Sequence, residues 1–423
     1  MRDALSLRER SSWGQGSALI SRTPHRVTAL DRWVADAFQR WLRPADLRLE
    51  LWDGSSPWPS NATPVGDVVV RDRRALVALL LDPDMQFGEL YTEGRVLIRG
   101  GLERVMAASC HLPRTDRLTW REWLALKIPR SNGFRLSLRN VHYHYDLGND
   151  FYERWLDKQL VYTCALFTDP TVTLEEAQTA KLDLVCRKLQ LRPGDMVIEA
   201  GCGWGALALH MAREYGARVK AFNISREQIR FARERAAAEG LSDRVEFVQD
   251  DYRRVEGHFD VFVSVGMLEH VGLRHFESLA SVIRRVLKPE SGRGLLHFIG
   301  RDRPQPLNAW TTRRIFPGAY PPTVAEVIQH VLAPARQSIH HTENLRPHYA
   351  RTLEHWRVRF ERAEQDVKTQ FGDAFYRAWH LYLAASEASF MGGSLQLFQI
   401  VFAPSGRMPL YAAQPFPDAT VAP

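Results

Sequence analysis

The chain is poor in several features that would settle its class at a glance. Four cysteines (Cys110, Cys164, Cys186, Cys202) are scattered through 423 residues with neither paired nor metal-ligand spacing. Neither a disulfide framework nor a zinc site is indicated, so no metal is expected, and the pattern fits a reducing compartment. No apolar run approaches the roughly 18 residues of a spanning helix; the best, Ala75 to Leu81, stops at Asp82-Pro83-Asp84. The N-terminal stretch from Met1 to Arg26 is polar and lacks the apolar core of a signal peptide. A cytoplasmic protein is therefore expected. Dense Lys/Arg tracts and the aromatic-basic interleaving of nucleic-acid modules are missing too, and no nucleic-acid partner is expected.

What is present is the composition of a soluble globular protein, 45% apolar and 25% charged, long enough for two or three domains. The formal charge of +7 is uneven: residues 1–139 hold 22 Lys and Arg against 16 Asp and Glu. Such a front-loaded excess favours an anionic partner, and an acidic membrane surface fits better than nucleic acid.

Composition shifts divide the chain. Residues 1–28 are Ser/Arg-rich and expected to be a disordered tail. Residues 29–125 alternate short apolar segments with turns and suggest a small mixed α+β domain. Residues 126–140, with Lys127, Arg130, Arg135 and Arg139 around Pro129 and Gly133, form a basic linker, either simply solvated or touching lipid headgroups. Residues 141–405 form the main domain and 406–423 a tail. From Met196 onward, short β-runs alternate with amphipathic helices (Gly205–Tyr215, Arg226–Glu239, His275–Leu287), the signature of a doubly wound, mostly parallel α/β sheet. Leu353, Trp356, Phe360, Ala363 and Val367 recur at helical spacing, and "LQLFQIVFA" reads as a final strand.

The strand "VIEA" breaks into Gly201-Cys202-Gly203-Trp204-Gly205 and opens a helix. Glycines there allow a tight turn and a close approach of backbone to ligand, at the edge where doubly wound sheets bind. Asn223 ends the second strand and Gln228 lies one turn into the next helix, placed to bond ribose hydroxyls. Asp250 and Asp251 end the third strand, where an adenine amino group would lie. The loop departs from G-x-G-x-x-G and no second pyrophosphate cradle is visible, so S-adenosylmethionine is preferred over a dinucleotide. This is a methyltransferase core of the Rossmann-like class I type.

Eight motifs then occur in one order: "VHYHYDLGNDFYERWLD", "YTCALF", "EAGCGWG", "SREQ", "GMLEHVG", "LLHFIG", "FPGAYPP" and "ENLRPHYARTL". In these the chain resembles the bacterial cyclopropane-fatty-acyl-phospholipid synthases and, more distantly, the mycolic acid cyclopropane synthases. The resemblance implies transfer of a methylene group from S-adenosylmethionine across a cis double bond of an unsaturated acyl chain in membrane phospholipid. It further implies attack by the alkene on the methyl, a carbocation, and loss of a proton to a bound bicarbonate ion as the ring closes. The matched pocket residues are Cys164, Glu269, His297, Ile299 and Tyr349. Tyr145 matches the tyrosine that reaches the methionine end of the cofactor, and Tyr162 shares that cavity. Gly201, Gly203, Asn223, Gln228 and Asp251 complete the expected cofactor set.

A carboxylate beside bicarbonate repels it unless one of the two keeps a proton, so Glu269 is expected to bond through a shared proton or to orient His297. It is expected at the end of the fourth strand. Cys164 is read as a snug contact, since no activating base can be argued for it. The resemblance also implies a homodimer and peripheral association with the inner face of the membrane. Two alternatives stay open: C-methylation of the acyl chain to a methyl-branched or methylene product, and a non-catalytic lipid-binding protein that retains the fold.

Overall fold

The computed structural model describes residues 26–59, 62–112 and 147–406. The N-terminal tail through residue 25, the basic linker, Tyr145 and the tail beyond residue 406 lie outside the described residues. Two compact units are present.

The first unit gathers the described residues up to 112 with residues 308–315 and 353–392, a discontinuous grouping where contiguous domains were expected. Its three-stranded sheet runs β1 (Leu47–Glu50), β2 (Gly66–Val70), β3 (Val96–Arg99), with β1 parallel and β3 antiparallel to β2. The helix Ala29–Leu42 starts on a capping box in which Thr28 and Asp31 satisfy each other's backbone amides. The long helix Asp373–Met391 packs on the helices Pro83–Thr92 and Leu102–Ser109, and burial of its Phe375, Trp379, Leu383 and Phe390 explains why so late a segment joins this unit.

The apolar stripe from Leu353 to Val367 is split between the helices Arg346–Arg362 and Glu364–Phe371, with the break at Ala363. Leu353, Trp356, Phe360 and Val367 are all buried, as the spacing predicts.

The second unit is built on a seven-stranded sheet in the order β6-β5-β4-β7-β8-β10-β9. Its strands are β4 (Met196–Ala200), β5 (Arg218–Asn223), β6 (Val245–Gln249), β7 (Val261–Val265), β8 (Arg293–Gly300), β9 (Gln337–Asn344) and β10 (Gln396–Pro404). The strands β4 to β8 pair in parallel; β10 is antiparallel to both β8 and β9. The mostly parallel α/β reading holds, with the polar strand β9, "QSIHHTEN", as an addition no periodicity announced. Alternate strand residues serve two cores, as parallel strands covered on both faces require. Val197, Val219, Val263, Leu295 and Val401 pack with the helices Leu174–Lys188 and Ala206–Tyr215, whereas Ile198, Phe262, Leu296 and Ile400 pack with Phe276–Val286.

One placement differs from expectation: β7 ends at Val265, and Glu269 lies in the short helix Leu268–Val271 beyond it. Gly266, at φ +73°, turns the chain out of the strand.

Candidate functional site

A cleft opens over the carboxyl ends of β4, β5, β6 and β7, where the strand order reverses between β5 and β7 on either side of β4. This is where open α/β sheets bind ligands. Residues Gly201 to Trp204 of the glycine loop line it. Gly201 and Cys202 donate backbone N–H bonds to the Phe222 carbonyl at 2.9 and 3.1 Å, tying the loop to β5. Gly205, at φ +84°, has no room for a Cβ, which would stand 2.6 Å from the Phe247 ring; Gly203, at φ +55°, faces open space. The first glycine closes the packing and the second leaves the cleft lining bare.

Asn223 and Gln228 both line the cleft. The Asn223 amide donates to Gln228 Oε1 at 2.7 Å and to the Gly203 carbonyl at 3.2 Å, so the two side chains are held in place as a pair. Asp250 and Asp251 line the same cleft, but the buried Asp251 carboxylate is gripped by Arg253 at 2.7 and 2.6 Å. Tyr162 lies on the wall with its ring edge-on to Trp155 at 5.2 Å. Trp204 lines the cleft as well, donating from Nε1 to Asn149 Oδ1 at 2.8 Å, and His270 stands beside Phe316.

Sequence reasoning missed two charged groups in this wall. Glu199, inside β4, faces the helix Leu174–Lys188, from which Lys181 points inward; both line the cleft and both are buried. Burial pushes the Glu199 carboxyl up to about 8, with Lys181 opposing the rise, and pushes the Lys181 ammonium down to about 8. Lys181 donates to Thr163 Oγ1 at 2.9 Å, while one Glu199 oxygen has no partner among the described residues. A carboxylate in an otherwise apolar strand was the available signal for Glu199; a lysine on a helix gives none for Lys181.

A second cluster forms behind the cleft, at the carboxyl edge of β8. Glu269 Oε1 accepts from the Ile299 backbone N–H at 3.4 Å, and His297 is two residues back on the same strand. Ile299 is opposite Leu397 of β10; the Leu397 carbonyl accepts from Leu345 N, and the Leu345 carbonyl from Tyr349 N. Cys164 Sγ lies 4.0 Å from that same Leu345 carbonyl. The segment carrying Cys164 is docked on the following helix, with Ala165 N donating to Thr352 Oγ1 at 3.0 Å and Phe167 N to His348 Nδ1 at 3.2 Å. Thus a chain of contacts links five distant stretches of the sequence.

The chemistry of that cluster is set by burial. The Glu269 carboxyl is pushed up to about 7, against hydrogen bonds that pull it down. His297 is driven well below the ordinary imidazole range and is therefore neutral. The Cys164 thiol is pushed far up, so no thiolate forms. Glu269 Oε2 and His297 Nε2 are both buried without a partner among the described residues. Orphaned buried polar atoms are costly, so each of the two calls for a polar partner.

A glycine loop closing β4, paired amide side chains at β5 and a cleft at the strand reversal define an S-adenosylmethionine-dependent methyltransferase of the Rossmann-like class. The family described as mycolic acid cyclopropane synthetase matches residues 134–400, and the chain belongs to it. It is 34% identical to the cyclopropane-fatty-acyl-phospholipid synthase of Escherichia coli K12, covering 81% of this chain and 89% of that protein. It is 35% identical to a probable fatty acid methyltransferase of Pseudomonas putida, covering 84% and 91%. Among solved structures, the cyclopropane synthase MmaA2 of Mycobacterium tuberculosis superposes with a TM-score of 0.60 at 29% identity, covering 63% of this chain and 98% of that one.

Proposed function

We propose that this enzyme adds a methylene group from S-adenosylmethionine to a cis double bond of an unsaturated acyl chain in membrane phospholipid, closing a cyclopropane ring. The observation that carries this reading is the pair of unpartnered buried atoms, Glu269 Oε2 and His297 Nε2, beside a methyltransferase cleft. Glu269's neighbours Met267 and His270, and Cys164's neighbours Tyr162 and Thr163, line that cleft. In this reading the cofactor supplies an electrophilic methyl, and a bicarbonate ion takes the proton lost on ring closure. Asn223 and Gln228 would hold the ribose, Gly201 and Gly203 the chain beside it, and Asp251 the adenine edge. Glu269, His297, the Ile299 N–H and Tyr349 would hold the anion, with Cys164 as a close, uncharged wall. A neutral Glu269 can donate to an anion where a carboxylate would repel it.

Methyl branching without ring closure is favoured by a different observation, the likeness to the Pseudomonas putida protein. Incubation with unsaturated phospholipid vesicles and methyl-labelled cofactor separates the two readings. Upfield ring-methylene signals in the lipid proton spectrum are expected; label without those signals means branching, and no label with bound cofactor removes the lipid reading.

The first unit supports a lipid-facing role. No helix among the described residues is long and apolar enough to cross a membrane. On the helix Ala29–Leu42, however, Leu30, Trp33 and Trp41 share one face and are exposed, Leu30 and Trp33 by 69% and 65%, with Arg40 beside them. Indole rings next to cationic side chains suit the headgroup region of an anionic bilayer. Replacing Trp33 by glutamate is expected to weaken binding to anionic vesicles about tenfold or more, since one large apolar side chain is worth roughly 1.5–3 kcal/mol. Turnover of a short soluble substrate should be unchanged. Equal vesicle sedimentation of the two proteins would remove this face from the interaction.

A further inference from the structure

His297 is backed by a row of polar side chains that no step of the proposed reaction uses. Glu343 on β9, Gln399 on β10 and His297 on β8 are successive register partners across the sheet. They lie on the face covered by the helix Leu174–Lys188, whose last residue completes the row. Lys188 Nζ is fully buried, pairs with the Glu343 carboxylate and donates to Gln399 Oε1 at 2.6 Å. At the other end of the same amide, Gln399 Nε2 stands 2.9 Å from His297 Nδ1.

The donors and acceptors in this row admit one arrangement. An ammonium group can only donate, so the amide atom facing Lys188 is the carbonyl oxygen. The amide then has only N–H to offer His297, and Nδ1 must accept. A neutral imidazole carries a single ring proton, which is therefore on Nε2. That nitrogen is the one buried without a partner among the described residues. It had been reasonable to expect Glu269 to orient the ring, but Glu269 bonds the Ile299 amide and Gln399 holds Nδ1.

We propose that Gln399, itself fixed by Lys188 and Glu343, is a positioning residue that locks His297 in its Nε2–H tautomer and presents that N–H as a donor to an oxyanion at the Glu269 site. The role as donor rests on the reading of that site as an anion site; the tautomer does not.

The test uses the full-length protein with ¹⁵N-labelled histidine, His297 being assigned by the signals lost in His297→Gln. Wild type is expected to show a protonated Nε2 and an unprotonated Nδ1. Gln399→Glu keeps the side-chain length and the Lys188 contact but faces Nδ1 with an acceptor, so the proton should move to Nδ1. Methyl transfer should then fall at least ~10-fold in kcat, the scale by analogy with losing the outer partner of a metal-ligating histidine, with the KM for S-adenosylmethionine unchanged. A protonated Nδ1 in wild type overturns the proposal whether or not the variant folds. So does a Gln399→Glu protein that switches tautomer yet keeps wild-type kcat. If the tautomer switches and kcat falls, but bicarbonate neither stimulates nor binds wild type, Gln399 stands as positioning residue and the anion reading fails alone.

Discussion

Glu269→Gln is expected to lose roughly 10²–10³-fold in methyl transfer to lipid, the scale of removing one preorganised electrostatic contact, while binding S-adenosylmethionine normally. Glutamine keeps the shape, and its oxygen can still accept from the Ile299 amide. It cannot take up or return a proton. The same variant should be more stable than wild type at alkaline pH. The Glu269 carboxyl titrates at an ordinary 4.5 in the unfolded chain and at about 7 in the folded one. Below pH 4.5 it is neutral in both states and costs nothing. Between the two values the unfolded chain gives up the proton and the folded one keeps it, so stability is lost as pH rises, and the loss is complete above about 7. The deficit is on the order of 3 kcal/mol. Glutamine never carries it. Thermal melts at pH 4.5 and pH 8 should therefore show little difference between the proteins at the lower value and a higher Tm for the variant at the upper. A variant with full transfer activity would sink the assignment; one with equal Tm at both values would show that the carboxyl is not held neutral by burial. Activity that depends on a group which destabilises the fold is the usual trade-off at a built site.

Alanine at the two ends of the glycine loop should separate stability from cofactor binding. At Gly205 the added methyl meets the Phe247 ring at 2.6 Å and the Ala232 methyl at 2.9 Å, on a backbone at φ +84°. A left-handed conformation costs an ordinary residue roughly 1–2 kcal/mol and overpacking adds about 1–3. Together these remove much of the ~5–15 kcal/mol that holds a domain folded. At Gly203 the backbone is also left-handed, at φ +55°, but nothing lies within 4 Å, so only the conformational cost applies. Its methyl would stand in the cleft. Gly203→Ala should melt only a few degrees below wild type and bind S-adenosylmethionine at least ~10-fold more weakly by calorimetry, consistent with loss of close backbone approach; Gly205→Ala should melt far lower. Unchanged affinity in folded Gly203→Ala would mean the glycine serves the turn alone.

The sequence by itself determined the parallel sheet, because strands buried on both faces must be written as apolar runs between amphipathic helices, and those runs fall on β4 to β8. It determined the cleft as well, since only glycines permit the turn after β4, and Asn223 and Gln228 follow at readable distances. It misplaced Glu269 by extending β7 through "GMLEHVG", where Gly266 turns the backbone away. Tertiary structure alone decided the rest. Lys181, Lys188, Glu199, Gln399 and Glu343 span more than two hundred residues and look in the text like surface charges or ordinary strand positions. Only the tertiary fold, which sets β10 between β8 and β9 and lays the helix Leu174–Lys188 over that face, brings them together. Local periodicity reports which face of an element is apolar, but it carries no record of which distant polar groups will meet there and hold a single imidazole in place.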